Sequence, residues 1–180
     1  MNILYIHGFD SAVKAQSPKY DALAELGKVT AIAPDYAEGK AAAVELATRT
    51  VKELDIDLLV GTSMGGWLAA QIGVQEGLPF VALNPSIEPH LTLTQYVGND
   101  ARRKLTQNAV NGYCPFPRKG QGMVIVELGD EVIDSQRTVE VLSPHFPVMQ
   151  FSGGAHQFEK VGDIVAPIRE FLSKKPAIYR

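Results

Sequence analysis

"LLVGTSMGGWLAA" occupies residues 58–70 of the 180-residue chain. A run of large aliphatic residues stops at Gly61, Ser63 follows two places on, and Gly65 and Gly66 come next. Small and apolar residues then continue in a helical pattern. Small residues at such a junction have two uses. They allow a tight bend, and they leave a serine side chain clear of its neighbours for chemistry.

Gly61-Thr62-Ser63-Met64-Gly65 fits G-x-S-x-G, in which a serine sits on a strained turn between a strand and a helix. Strain of that kind costs about 1–3 kcal/mol. Side chains two residues either side of the serine would meet neighbouring backbone, so glycine is needed at 61 and 65. The five-letter pattern alone arises by chance in on the order of one chain in ten of this length. A glycine-rich turn with a capping serine would satisfy it equally well. Its setting is more specific: a strand of the buried type precedes it and an amphipathic helix follows.

Outward from this junction the chain alternates. Short β-rich apolar runs at 2–6, 29–33, 56–60, 80–83, 123–128 and 147–151 are the expected strands. Helical patterns lie at 18–26, 40–54, 64–76, 135–142 and 161–174. The strands are continuously hydrophobic, as strands covered on both faces are. Strand–helix alternation predicts an α/β fold: a three-layer αβα sandwich with about six mainly parallel strands. The length fits one domain over 1–180. Residues 85–122 break the rhythm with four prolines and one helical stretch near 93–110, and are expected to form a lid-like insertion.

Ligands of open α/β sheets bind beyond the carboxyl ends of the strands. Those exits are polar or glycine-rich here: His7-Gly8-Phe9-Asp10-Ser11, Pro34-Asp35-Tyr36, Gly61-Thr62-Ser63, Asn84-Pro85-Ser86, Gly129-Asp130-Glu131 and Gly153-Gly154-Ala155-His156. Serine needs a base to become a nucleophile. Of the four histidines, His156 follows the last strand and can reach over Ser63. His145 precedes a strand at the opposite edge, and His90 is expected to be a solvated residue of the insertion. The base needs an acid to orient it. Asp130 lies at a strand end between Ser63 and His156 in chain order, with Glu131 as the weaker rival and Asp134 better suited to cap the next helix. The order Ser63, Asp130, His156 is that of α/β-hydrolases. The expected oxyanion donors are the backbone N–H groups of Met64 and Phe9, with the His7 ring bonded to nearby loop backbone.

Composition narrows the remaining classes. Net charge is −3, with 46% hydrophobic and 21% charged residues, and no basic block favours nucleic acid. "ARRK" at 101–104 reads as a solvated helix face. Cys114 is the only cysteine, which precludes an intrachain disulfide and leaves a lone thiol expected to be inert. There is no phosphate-binding glycine loop, and no zinc motif. No cofactor or metal is expected, and no membrane partner: no apolar run approaches the roughly 20 residues of a bilayer span. The start of the chain does not read as a signal peptide, and a cytoplasmic setting is expected. The residues leave oligomeric state open.

Together, His-Gly-Phe-Asp-Ser, Gly-Thr-Ser-Met-Gly-Gly-Trp, Leu-Asn-Pro-Ser, "LTQYVGN", Gly-Asp-Glu-Val-Ile-Asp and Gly-Gly-Ala-His-Gln-Phe resemble the small bacterial YqiA-like esterases of the α/β-hydrolase superfamily, over about residues 3–172. The resemblance implies hydrolysis of a small carboxylic ester, with Ser63 as nucleophile, Asp130 as acid and His156 as base. It leaves the substrate open, and a thioesterase or amidase would use the same three residues. A hydrolase-like binding protein without activity is the alternative from another class. Tyr96, Tyr113 and Phe116 are candidate pocket walls, as is Trp67, for which core packing is an equal explanation.

Overall fold

A computed structural model of the chain describes residues 1–98 and 105–174. Six strands form one sheet: β1 (Asn2–Ile6), β2 (Lys28–Ile32), β3 (Leu58–Thr62), β4 (Phe80–Leu83), β5 (Gly122–Glu127) and β6 (Val148–Phe151). Their order is β2-β1-β3-β4-β5-β6, and all five pairings are parallel. The expected α/β sandwich is therefore the fold observed. Every crossover returns the chain to the same side, so all strand exits open on one edge.

The four inner strands, β1, β3, β4 and β5, are buried almost throughout. Period-two alternation sends their side chains to two separate cores. Leu4, Ile6, Leu59, Ala82 and Val124 meet α2 (Lys40–Glu53) and α3 (Met64–Glu76) through Ala43, Ala47, Trp67 and Leu68. Ile3, Tyr5, Val60, Val81 and Ile125 meet α1 (Pro18–Ala24) and α7 (Val165–Ser173) through Leu23 and Ile168. Each fully buried aliphatic side chain contributes about 1.5–3 kcal/mol.

Helix starts follow local chemistry. Ser17 accepts from Lys19 N at 3.3 Å, with Pro18 in the first turn of α1. Asp134 caps α6 (Ser135–Leu142) by accepting from Arg137 N at 2.9 Å, the role its position suggested. The last helical pattern divides into a 3₁₀ turn, Val161–Ile164, and α7.

The insertion departs from expectation. In place of one helical stretch near 93–110 it holds α4 (Pro89–Thr92), a 3₁₀ turn at Leu93–Tyr96 and α5 (Gln107–Asn111). The extended backbone of Val97 ends the first helical course, and Thr106 caps the start of α5 by accepting from Ala109 N. The "ARRK" stretch at 101–104 lies outside the described residues. Among the described residues no helix is long and apolar enough to cross a membrane.

Leu59 fills the centre of the larger core at 0% exposure, whereas Leu54 is 40% exposed. Leu59→Ala is expected to destabilise the fold by about 2–5 kcal/mol, and Leu54→Ala by less than about 1 kcal/mol, as measured by urea unfolding.

Candidate active site

Ser63 joins β3 to α3 at φ 58°, ψ −121°, a positive-φ conformation that L residues rarely adopt. The surrounding backbone holds it there. Ser63 N donates to Leu83 O at 3.0 Å, and Ser63 O accepts from Trp67 N and Ser86 N, both at 3.1 Å. A Cβ on Gly61 would stand 2.1 Å from Gly65 O, and one on Gly65 would stand 1.9 Å from Ile6 O. These are backbone collisions, which explains the glycine at both positions.

Three strand exits bring side chains together here. Ser63 Oγ lies 3.0 Å from His156 Nε2. The other ring nitrogen, Nδ1, lies 2.9 and 3.0 Å from the two oxygens of Asp130. A carboxylate can only accept, so the ring donates from Nδ1 and leaves Nε2 to accept from the serine hydroxyl. The Asp130 side chain is 1% exposed and that of His156 18%. Asp130 Oδ1 also accepts from Val132 N and Ile133 N, each at 2.8 Å, which fixes the carboxylate plane. Glu131 touches the loop backbone instead of the ring. Its Oε2 accepts from His156 N at 3.0 Å, a bond that lowers its carboxyl pKa.

Two buried polar residues that sequence reasoning missed hold the His156 loop. Glu127, fully buried at the end of β5, accepts from Ala155 N at 2.9 Å, Glu159 N at 3.0 Å and Lys160 N at 2.6 Å. Asn84, at the exit of β4, accepts from Glu127 N at 2.7 Å and donates to Ala155 O at 2.9 Å. The available signal was a carboxylate inside an aliphatic strand run, "MVIVEL" at 123–128. A buried charge of that kind needs several donors.

A cleft of about 320 Å³ opens over Ser63 and His156. Its apolar lining comes from Phe9, Met64, Leu93, Tyr96, Val132 and Ile133. The N–H groups of Phe9 and Met64 have no hydrogen-bond acceptor among the described residues. Tyr96 lines the cleft and packs on Phe9 with ring centroids 5.5 Å apart.

Tyr113 and Phe116 are not cleft residues, contrary to expectation. Each is 4% exposed. The Tyr113 hydroxyl donates to Tyr36 O at 2.7 Å while its ring stands edge-on to Trp67, and Phe116 packs with Phe80 and Phe146. Trp67 is also core, its indole N–H donating to Cys114 O at 2.9 Å. The insertion folds back onto α3, so its later aromatic residues are drawn into the core. Val132 and Ile133, which sequence reasoning did not select, take their place on the cleft wall.

The remaining histidines also sort by structure. His145 is exposed. His90 lies half-buried in α4, and its buried Nδ1 has no partner among the described residues, so it is not the solvated loop residue expected. The His7 ring is held by side chains, not loop backbone: Nδ1 pairs with Ser11 Oγ at 3.1 Å and Nε2 with the Tyr20 hydroxyl. Burial, then the charges of Lys19 and Lys14, push the His7 pKa down to about 4.

Parallel strands, a strained serine elbow after the third strand and a late strand-exit histidine define the α/β-hydrolase fold. Two solved structures resemble the chain in this respect. Est1E from Butyrivibrio proteoclasticus superposes with a TM-score of 0.70 at 15% identity, over 95% of this chain and 86% of that one. Alpha/beta hydrolase domain-containing protein 10 from mouse gives 0.66 at 17% identity, over 96% and 90%. The chain belongs to the UPF0227 family, described as "Uncharacterised protein family (UPF0227)", whose model matches residues 2–173. A UPF0227 protein of Shewanella loihica is 26% identical over 96% of this chain and 99% of its own length.

Glu127→Ala strands three backbone donors of the His156 loop. It is expected to destabilise the protein by about 3–5 kcal/mol, the cost of breaking a buried charged network, as read from urea unfolding. The His7 shift sets an acid limit. The folded state holds this ring neutral down to about pH 4 while the unfolded chain protonates it near 6.5. The unfolded state therefore binds more protons between these values, and stability rises with pH across that window. His7→Gln removes the titration. The stability difference between wild type and His7→Gln, measured by urea unfolding, is expected to shift towards the variant as pH falls from 7.5 to 4.5.

Proposed function

We propose that the protein is a serine hydrolase that cleaves small carboxylic esters through an acyl-enzyme. The single observation that carries this reading is the continuous relay from Ser63 Oγ through the His156 ring to a buried Asp130, with links of 3.0 and 2.9 Å. Hydrogen-bond reach between nucleophile and base, and between base and orienting acid, is the geometry that acyl transfer needs.

Ser63 Oγ attacks the ester carbonyl as His156 Nε2 takes its proton. Asp130 accepts from Nδ1, which keeps the ring in its working tautomer and stabilises the imidazolium. The oxygen that becomes negative is met by the N–H groups of Met64 and Phe9, and Met64 N lies at the start of α3, where the helix dipole adds to the effect. His156 then returns the proton to the departing alcohol. Water, activated by the same nitrogen, releases the acid and restores Ser63.

The apolar cleft formed by Phe9, Leu93, Tyr96, Val132 and Ile133 suits the hydrocarbon part of a small substrate. In this reading the 85–122 insertion supplies one wall of that cleft through Ser86, Thr92, Leu93 and Tyr96, and serves as a lid-like element of a single domain. Esters are preferred over amides as the first substrates to assay because their leaving group demands less protonation.

Hydrolysis of p-nitrophenyl butyrate by purified protein tests the proposal. Ser63→Ala is expected to lower kcat by at least about 10⁴-fold, and Asp130→Asn by about 10²–10⁴-fold, with thermal unfolding close to wild type for the serine variant. Equal rates for wild type and Ser63→Ala would overturn it.

A further inference from the structure

Ser63 faces a second cleft, of about 310 Å³, whose chemistry differs from the first. Both clefts share Phe9, Asp10, Ser63 and His156, so an ester bound at Ser63 can extend into each of them. The first is walled mainly by aliphatic and aromatic side chains. The second is lined by polar and basic groups: His7, Ser11, Lys14, Lys19, Thr62 and Gln157.

The lysines set its charge. His7 is neutral at pH 7, because burial and these two lysines hold its pKa near 4. Asp10 is the acidic group in the lining, on the ridge between the clefts, and Glu127 lies behind the cleft with its oxygens taken up by three backbone N–H groups. No carboxylate of the described residues forms an ion pair with Lys14 or Lys19. Lys19 is also half-buried, and burial followed by repulsion from Lys14 lowers its pKa, against a smaller opposing pull from the Glu127 carboxylate. A partly desolvated cation beside a like charge is unfavourable until an anion joins it. The chain as a whole carries net charge −3, so two lysines beside the nucleophile without an ion pair among the described residues run against the overall balance.

We propose that this second cleft receives the anionic end of the substrate: the ester carries a negatively charged group that Lys14 and Lys19 bind while its carbonyl lies at Ser63. The assignment rests on the hydrolase reading given above and specifies its substrate class. One side of the scissile bond is short and apolar, and the other bears the charge. Opposite charges steer the encounter as well as holding the complex, and both effects weaken with salt.

Two matched pairs of esters test this. Mono-p-nitrophenyl glutarate against p-nitrophenyl pentanoate places the charge on the acyl side. The butyrate ester of 4-hydroxybenzoate against phenyl butyrate places it on the alcohol side. The quantity read is the ratio of kcat/KM for the charged ester to that for the neutral one within each enzyme, so a general loss of activity cancels. In wild type, one pair is expected to favour the anion by about tenfold or more, less so as ionic strength rises from 20 to 500 mM. The ratio is expected to fall at least fivefold in Lys19→Met, to fall also in the exposed variant Lys14→Met, and to survive in Lys19→Arg. A ratio unchanged in the Lys14→Met/Lys19→Met double variant, with esters still cleaved, would overturn the anion cleft and leave the hydrolase reading standing. Failure to cleave all four esters, with no labelling of Ser63 by a fluorophosphonate, would remove both.

Discussion

A serine at φ 58°, ψ −121° is the constraint on which the rest of this site depends. Such a backbone survives only where its neighbours leave no alternative. Here β3 is held between β1 and β4, Ser63 N is bound to Leu83 O, and α3 is pressed so close to β1 that a single Cβ at residue 65 would strike Ile6 O. Strain of about 1–3 kcal/mol is small beside the burial energy of the strands around it. The sheet therefore determines where the hydroxyl points, and the loops have only to bring partners to it.

Those partners are fixed by charge and hydrogen bonding more than by packing. The His156 loop has positive-φ glycines at 153 and 154 and no regular structure to hold it, yet three of its backbone donors, Ala155 N, Glu159 N and Lys160 N, end on one buried carboxylate, Glu127. Asn84 ties that carboxylate's own strand to the same loop. Asp130 is locked separately by the N–H groups of Val132 and Ile133. The two loops are also tied to each other away from the imidazole, by Gly129 N donating to Gly153 O at 2.8 Å and His156 N donating to Glu131 Oε2 at 3.0 Å, so base and acid are positioned together.

The solved structures that the chain resembles share its fold, at identities too low to carry a substrate. The specific character of this chain lies in what surrounds the serine. An apolar cleft under the insertion and a basic cleft beside α1 meet at the same Oγ.

Much of this was legible in the sequence because its signals are local. A buried strand, a glycine two places on either side of a serine, and a helix after it can be read within thirteen residues. The run of polar strand exits then followed from parallel order alone. The aromatic residues of the insertion were not legible in the same way. Tyr96 reaches the cleft, while Tyr113 and Phe116 enter the core, and nothing in their immediate neighbours distinguishes them. The difference is made by where Tyr113 and Phe116 pack, against Trp67, Phe80 and Phe146, a property of three-dimensional structure. Glu127 was hidden for a related reason. Within its own strand it is only a misplaced charge, and its donors lie 28 to 33 residues away. Sequence alone thus determined the sheet, the elbow and the order of Ser63, Asp130 and His156, because backbone sterics and hydrophobic period act over short distances. Tertiary structure decided which side chains form the walls, what holds the histidine loop, and where the two lysines stand, because burial and electrostatics depend on neighbours that the chain supplies from afar.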